Sequence, residues 1–326
     1  MKAIVITKYG PPDVLKVLEI PKPAPGDDQV LVQVFASSVN FGNLAHVKGE
    51  PFIGRLWSGL QAPKNNIPGG DMAGRVEAVG KNVTQFQPGD EVYGNLGDCG
   101  FGAFAEYVCV SESSIALKPA NLSFAQAAAV PLAGIVALQG LRNKGKIQAG
   151  QKVLIAGASG GNGTFAVQIA KAMGAEVTGV CSTRNVDLVR SIGADHVIDY
   201  TKEDFVQNGQ RYDLIFGLAG HRSVFEYKRA LSPNGIYVSG GGEMAQVFEG
   251  MLLGPLISIG GSKKLTFLYA LENKEDLVFL KELIEAGKVV PVIDRQYPLS
   301  QAAQALEYYE TGRSQGKVVI TIEQNR

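Results

Sequence analysis

The stretch VLIAGASGGNGTFAVQIAKAMGAEVTGVCSTR, from Val153 to Arg184, opens on an apolar run, crosses a cluster of small residues and continues with helical spacing. Gly157, Gly160 and Gly163 stand three residues apart within it. A strand that turns sharply into a helix needs residues without Cβ clashes at the corner. The unpaired N–H groups of the helix start, together with its positive end, then form a seat for a pyrophosphate. The spacing differs from the G-x-G-x-x-G dinucleotide fingerprint, so a glycine-rich turn that holds no ligand is the competing reading.

The end of the next strand decides which nucleotide would fit. Dinucleotide sites for NAD carry an acid about 20 residues past the glycines, where it accepts from the ribose 2′-hydroxyl. Here the position reads VCSTRN, Val180 to Asn185, and holds no acid. Ser182, Thr183, Arg184 and Asn185 can all donate to a 2′-phosphate, which a carboxylate would repel. A charge-assisted bond from Arg184 is worth about 1.5–3 kcal/mol. NADPH is therefore expected over NADH. The alternative is that Ser182 and Thr183 only cap the helix that begins near Asn185.

Metal and thiol chemistry find little support. Cys99, Cys109 and Cys181 are dispersed, as are His46, His196 and His221, and no pair has metal-ligand spacing. The chain has 326 residues, 45% of them hydrophobic and 19% charged, with a formal net charge of zero. That is ample for two domains with cores of their own. The even charge balance argues against a nucleic-acid or anionic-membrane surface. No apolar run approaches the ~18 residues that span a bilayer. With no leader-like segment in view, the cytoplasm is the expected location.

The elements that must position these residues follow a clear order. The first 120 residues read as short strands, among them AIVITKYG, QVLVQVFASSV, MAGRVEAVG, DEVYG and GAFAEYVCV. SFAQAAAVPLAGIVALQGLRN is helical by composition, with Ser123 as a candidate N-cap. From Lys152 onward strands and helices alternate, the pattern of a parallel sheet covered on both faces. KEDLVFLKELIEAGK and SQAAQALEYYETG read as two further helices, the second with Ser300 as its N-cap, and KVVITI as a last strand.

The chain resembles the zinc-independent quinone oxidoreductase branch of the medium-chain dehydrogenase/reductases over nearly its whole length. The motifs that carry the resemblance are SSVNFGNLAHVKG, IPGGDMAGRVEAVG, FQPGDEVYG, GAFAEYV, GASGGNG, SIGADHVIDY and GKVVITI. The fold implied is α/β: a GroES-like β domain plus a Rossmann domain with a doubly wound parallel sheet. The GroES-like catalytic domain would comprise residues 1–121 and 289–326, and the NADPH-binding domain 122–288, with the cofactor in the cleft between them. Such proteins are commonly homodimers paired through an edge strand, here KKLTFLYA, Lys263 to Ala270. Zinc-dependent relatives place a Cys in the segment reading SSVN here and a His-Glu pair in the segment reading GGDMAG. This chain has neither, so no metal ligand is expected.

By position the resemblance assigns the Asn40 amide to the nicotinamide or the substrate carbonyl. It assigns Gly157, Ser159, Gly160, Gly161, Asn162 and Gly163 to the pyrophosphate. Ser182, Thr183, Arg184, Asn185 and Tyr200 fall to the adenosine 2′-phosphate, and Leu218, Gly240, Gly241 and Phe267 line the rest of the cofactor. Arg313 and Lys317 could reach a phosphate or remain solvated surface charges. Gly49 to Asn66 would form a mobile loop over the substrate mouth, offering Phe52, Arg55 and Trp57 to the acceptor. The activity implied is NADPH-dependent hydride transfer to a small-molecule acceptor, a quinone or an α,β-unsaturated carbonyl, without zinc. The chain lacks a tyrosine near Ala45 that many relatives carry, so solvent becomes the expected proton source. Its rivals are a free-standing enoyl-thioester reductase and a non-catalytic NADPH-binding redox sensor.

Overall fold

A computed structural model of the chain describes residues 1–97, 99–219, 222–241 and 261–323. The chain divides into two compact units. The first comprises residues 1–132, 272–285 and 291–326, and the second residues 133–271 and 286–290.

The first unit is built on antiparallel strands. β1 (Lys2–Ile6) pairs with β2 (Leu15–Glu19). β3 (Gln29–Ser38) is the spine of a seven-stranded sheet, pairing with β4 (Asp71–Val79), β6 (Tyr107–Ser111) and β15 (Lys317–Thr321). β5 (Glu91–Asn95) and β7 (Ile115–Leu117) extend it beyond β4, and β14 (Ile293–Pro298) runs parallel to β15 at the other side. The β-branched runs of these strands explain the core: Val30, Val32, Val34, Val76, Val92, Ile115, Val318 and Ile320 form one buried cluster. A tail strand therefore completes a sheet begun near the N-terminus, as the resemblance implied.

The second unit is a six-stranded sheet in the order β10-β9-β8-β11-β12-β13, every pairing parallel. Its strands are β8 (Lys152–Ala156), β9 (Glu176–Cys181), β10 (His196–Asp199), β11 (Tyr212–Gly217), β12 (Leu231–Ser239) and β13 (Lys264–Phe267). Counted from its first strand, that is the 3-2-1-4-5-6 order of the dinucleotide-binding fold, with the switch point between β8 and β11. KVLIA of β8 is buried after its first residue because a parallel sheet is covered on both faces. Helix Gly161–Ala172 buries Phe165 and Ile169 completely.

The expected boundaries shift in three places, one of them the transfer of residues 289–290 to the parallel-sheet unit. Residues 122–132 and helix Lys274–Glu285 belong to the β unit, not to the parallel-sheet unit. The helix is tied there by Tyr93, whose hydroxyl donates to Leu277 O at 2.6 Å, and by Asn121 Nδ2, which donates to Ile284 O at 2.9 Å. Ser123 caps helix Phe124–Ala128 as expected, its hydroxyl accepting from Gln126 N. Ser300 does not cap: it lies inside the 3₁₀ turn Leu299–Gln301 that precedes helix Ala302–Glu310.

Candidate active site

In the parallel-sheet unit the candidate residues gather at the carboxyl ends of the strands, the edge where open α/β sheets bind ligands. The corner after β8 is shaped by its glycines. Gly157 adopts φ +87°, and a Cβ there would stand 2.7 Å from Ala219 Cβ. A Cβ on Gly163 would stand 2.0 Å from Gly157 O. No other residue lets the helix start so close beneath the turn. Gly160 is the N-cap of helix Gly161–Ala172, and its carbonyl accepts from Thr164 N at 2.9 Å. The N–H groups of Gly161, Asn162 and Gly163 therefore precede the first helical bond, at the end of a helix that favours an anion.

The end of β9 is organised by side chains. Asn185, buried, donates from Nδ2 to Ser159 Oγ at 2.8 Å and to Ser182 Oγ at 3.3 Å, tying the two strand ends together. Arg184 is exposed in the turn Thr183–Asn185. Tyr200, also exposed, joins this corner through its N–H on Cys181 O at 3.0 Å. Thr183 departs from expectation. Its hydroxyl donates to Asp199 Oδ2 at 2.6 Å, so its one proton is committed before any phosphate arrives.

Asp199 is the residue that the sequence reading missed. It supplies an acid to this corner from the end of β10 rather than from β9. The Thr183 hydroxyl first, then the hydroxyl and N–H of Thr201 and the Lys202 ammonium, hold its carboxyl well below the usual carboxylate range. Burial and the Asp199 charge push the neighbouring Cys181 thiol up to about 11, leaving it unreactive at neutral pH.

At the ends of β11 and β12 the glycines answer to the protein's own packing. A Cβ on Gly240 would meet the Phe216 ring at 2.4 Å, and one on Gly241 would meet Leu218 O at 2.6 Å. Leu218 N donates back to Ala156 O at 3.0 Å, and Phe267 stands in register with Ser239. Ser239 is 1% exposed and its hydroxyl has no hydrogen-bond partner among the described residues. A buried hydroxyl without a partner is costly. Its place at the ligand-binding edge, beside a cradle that no Cβ can enter, fits a dinucleotide.

In the β unit, Asn40 sits between the end of β3 and helix Phe41–Lys48. It is 7% exposed. Its Nδ2 donates to Asp71 Oδ2 at 2.7 Å and its Oδ1 accepts from Lys317 Nζ. Asp71, wholly buried at the start of β4, also accepts from Ser38 Oγ at 2.6 Å, from Asn95 Nδ2 at 2.6 Å and from Leu132 N at 2.9 Å. Lys317 Nζ lies 3.4 Å from Asp71 Oδ2. Burial pulls the Lys317 ammonium below its ordinary pKa, against the opposing Asp71 charge. Lys317 is thus neither a solvated charge nor a phosphate ligand. At 3% exposure, its ammonium is spent on Asn40, Val39 O and Asp71. A lysine just ahead of an apolar final strand gave no signal of this, because its partners lie about 250–280 positions away.

The expected substrate loop is partly helical, with a 3₁₀ turn at Phe52–Gly54 and a short helix at Arg55–Ser58. Phe52 and Trp57 are 74% and 71% exposed. Arg55 is not offered to an acceptor. Its Nε donates to Gly49 O at 2.9 Å and its Nη2 to Lys48 O at 2.7 Å, closing the end of helix Phe41–Lys48, and it stacks on Tyr9. Arg313 occupies an exposed turn of the β unit, after helix Ala302–Glu310.

Among the described residues, no three His, Cys, Asp or Glu side chains form a group that could hold a metal ion. His46 pairs with Asn65 O at 2.8 Å, and Cys99 Sγ with Ser114 Oγ at 3.1 Å. His221 lies outside the described residues.

Comparison with known proteins agrees with this geometry. Residues 26–120 match the family model of the alcohol dehydrogenase GroES-like domain, and residues 192–320 that of the zinc-binding dehydrogenases. The chain is 35% identical to a chloroplastic NADPH-dependent alkenal/one oxidoreductase of Arabidopsis thaliana, over 98% of this chain and 79% of that protein. It is 34% identical to a trans-enoyl reductase of Aspergillus terreus, over 92% and 88%. The structure of a quinone oxidoreductase from Coxiella burnetii superposes with a TM-score of 0.88 at 32% identity, covering 99% of both chains. The chain belongs to the quinone oxidoreductase branch of the medium-chain dehydrogenase/reductase family and is an oxidoreductase of that family.

Proposed function

We propose that the chain is an NADPH-dependent reductase that passes hydride to a quinone or an α,β-unsaturated carbonyl without zinc. The observation that carries this reading is the corner after β8. Its glycine cradle, its helix N-terminus and the buried Ser239 hydroxyl, which has no partner among the described residues, suit a dinucleotide. Selection for the 2′-phosphate rests on Ser182 and Arg184. Asp199 does not defeat it, because its carboxylate oxygens already accept from Thr183, Thr201 and Lys202.

NADPH, when bound, supplies the hydride. The chain's own part is to hold the nucleotide and to meet the negative charge that grows on the acceptor oxygen. One N–H of the Asn40 amide is committed to Asp71, and the second is the donor we assign to that oxygen. The proton that completes the reduction comes from solvent. Where a catalytic zinc would need anionic or imidazole ligands, the Asp71 carboxylate already has a cation in Lys317 and a full set of N–H and O–H donors. Activated acceptors tolerate this weaker electrophilic help, whereas simple alcohols and ketones do not.

The test is NADPH consumption with a panel of 2-alkenals, quinones and enoyl thioesters, with NADH and a chelator as the two controls. Turnover of alkenals or quinones with NADPH, unaffected by chelation, is expected. Preference for the thioesters would move the activity to enoyl reduction, the chemistry named for the Aspergillus relative. NADPH binding without turnover would favour the sensor reading. Loss of activity on chelation would refute the zinc-free mechanism.

A further inference from the structure

An asparagine amide is useful as a donor only if its nitrogen faces the right way, and its two ends are nearly isosteric. Around Asn40 the choice is forced. Lys317, on the Oδ1 side, can only donate while protonated, and the Asp71 carboxylate, on the Nδ2 side, can only accept. Turning the amide over would set its NH₂ against an ammonium and its oxygen against a carboxylate. Both charged partners are buried, at 3% and 0% exposure, so water does not screen the penalty. Asp71 is itself held in place by Ser38, Asn95 and Leu132 N. Asn40 N–H also donates to Asn43 Oδ1 at 2.8 Å, and the Asn43 N–H meets the Asn40 side chain in the capping box that starts helix Phe41–Lys48.

We propose that Lys317 is a positioning residue for the reduction. It fixes the Asn40 amide so that one N–H is spent on Asp71 and the other is presented to the acceptor oxygen. The inference deepens the proposed function and rests on its assignment of Asn40. It gives the buried lysine a purpose that neither cofactor binding nor surface charge supplies. It also explains why a lysine, whose burial is costly, occupies the first position of β15.

The test is a double-variant cycle. Wild type, Lys317→Met, Asn40→Ala and the pair are compared for kcat with a 2-alkenal and for NADPH affinity by fluorescence titration. Lys317→Met is expected to lower kcat about 10- to 100-fold, approaching the loss of one oxyanion donor. NADPH affinity should stay within about twofold. In the Asn40→Ala background the same substitution should cost less than about twofold, because a positioning residue acts only through the group it positions. Equal losses in both backgrounds, or full activity in Lys317→Met, would overturn the proposal.

Should Lys317→Met not fold, Lys317→Gln carries the cycle, since its amide can both donate and accept and so no longer dictates the Asn40 orientation. A readout without turnover accompanies it. In wild type the Asn40 side-chain proton bonded to Asp71 should exchange slowly with deuterium, measured by NMR, and Lys317→Gln, which leaves Asp71 alone to orient the amide, should lower that protection. Equal protection in both would also overturn the proposal. The two readings fail separately: a wild type that consumes no NADPH with any acceptor refutes the function, while the exchange measurement still decides the role of Lys317.

Discussion

At the scale of single residues, the corner after β9 holds the exposed guanidinium of Arg184 beside a Thr183 hydroxyl that is bonded to Asp199. Arg184→Ala should raise the dissociation constant for NADPH about 10- to 100-fold and leave that for NADH unchanged, read by parallel titrations. Thr183 instead sustains Asp199. A carboxyl whose folded pKa lies below its unfolded value of about 3.9 stabilises the fold above that value, and the contribution fades as pH falls towards the folded one. Thr183→Val removes the largest cause of the depression. The stability gap between wild type and variant, from urea midpoints, should hold constant from neutral pH to about pH 5 and narrow in stronger acid. A gap that widens on acidification would contradict this account.

At the scale of elements, the strand-to-helix turn and the docked helix place the most exacting demands on sequence. Gly163→Ala forces a methyl group into backbone of its own turn. It should cost about 1–3 kcal/mol in urea unfolding and weaken NADPH binding in the same protein. An unchanged unfolding midpoint would show that the turn can relax. Helix Lys274–Glu285 depends on the β unit, where Tyr93 is fully buried with its hydroxyl on Leu277 O. Burial pushes that phenol's pKa far up, which keeps it a donor at any working pH. Tyr93→Phe should destabilise the β unit by about 1–2 kcal/mol while Leu277 O goes unpaired, with no change in nucleotide affinity. The helix itself was legible from its apolar spacing and its terminal glycine. Its allegiance was not, because a helix shows which face is apolar but not which unit covers it.

At the scale of the whole molecule, the open edge of the six-stranded sheet matters most. β13 is the last strand in the order, so the Lys263–Ala270 segment does supply the edge strand expected of it. Among the described residues β13 has no strand on its outer side, and such an edge invites a second copy of the same strand. We propose a homodimer joined there, and sedimentation equilibrium should return twice the chain mass. A wild type that sediments as a monomer would refute this arrangement.

Local features of the sequence determined a good deal. Apolar and β-branched runs predicted most strands of both units, though not β2 or β7, and the small residues between Ile155 and Phe165 predicted the turn and the helix that follows. These signals are local, since steric clash and hydrophobic periodicity act over a few residues. What only the tertiary structure decided is the chemistry of long-range partners. Lys317, Asp71 and Asn40 come from three distant parts of the chain, and their charges have meaning only once burial removes water from around them. Asp199 entered the nucleotide corner from a neighbouring strand, and Arg55 turned inward to close a helix. In each case the residue type was plain in the sequence, but its partner was set by how the strands and helices packed.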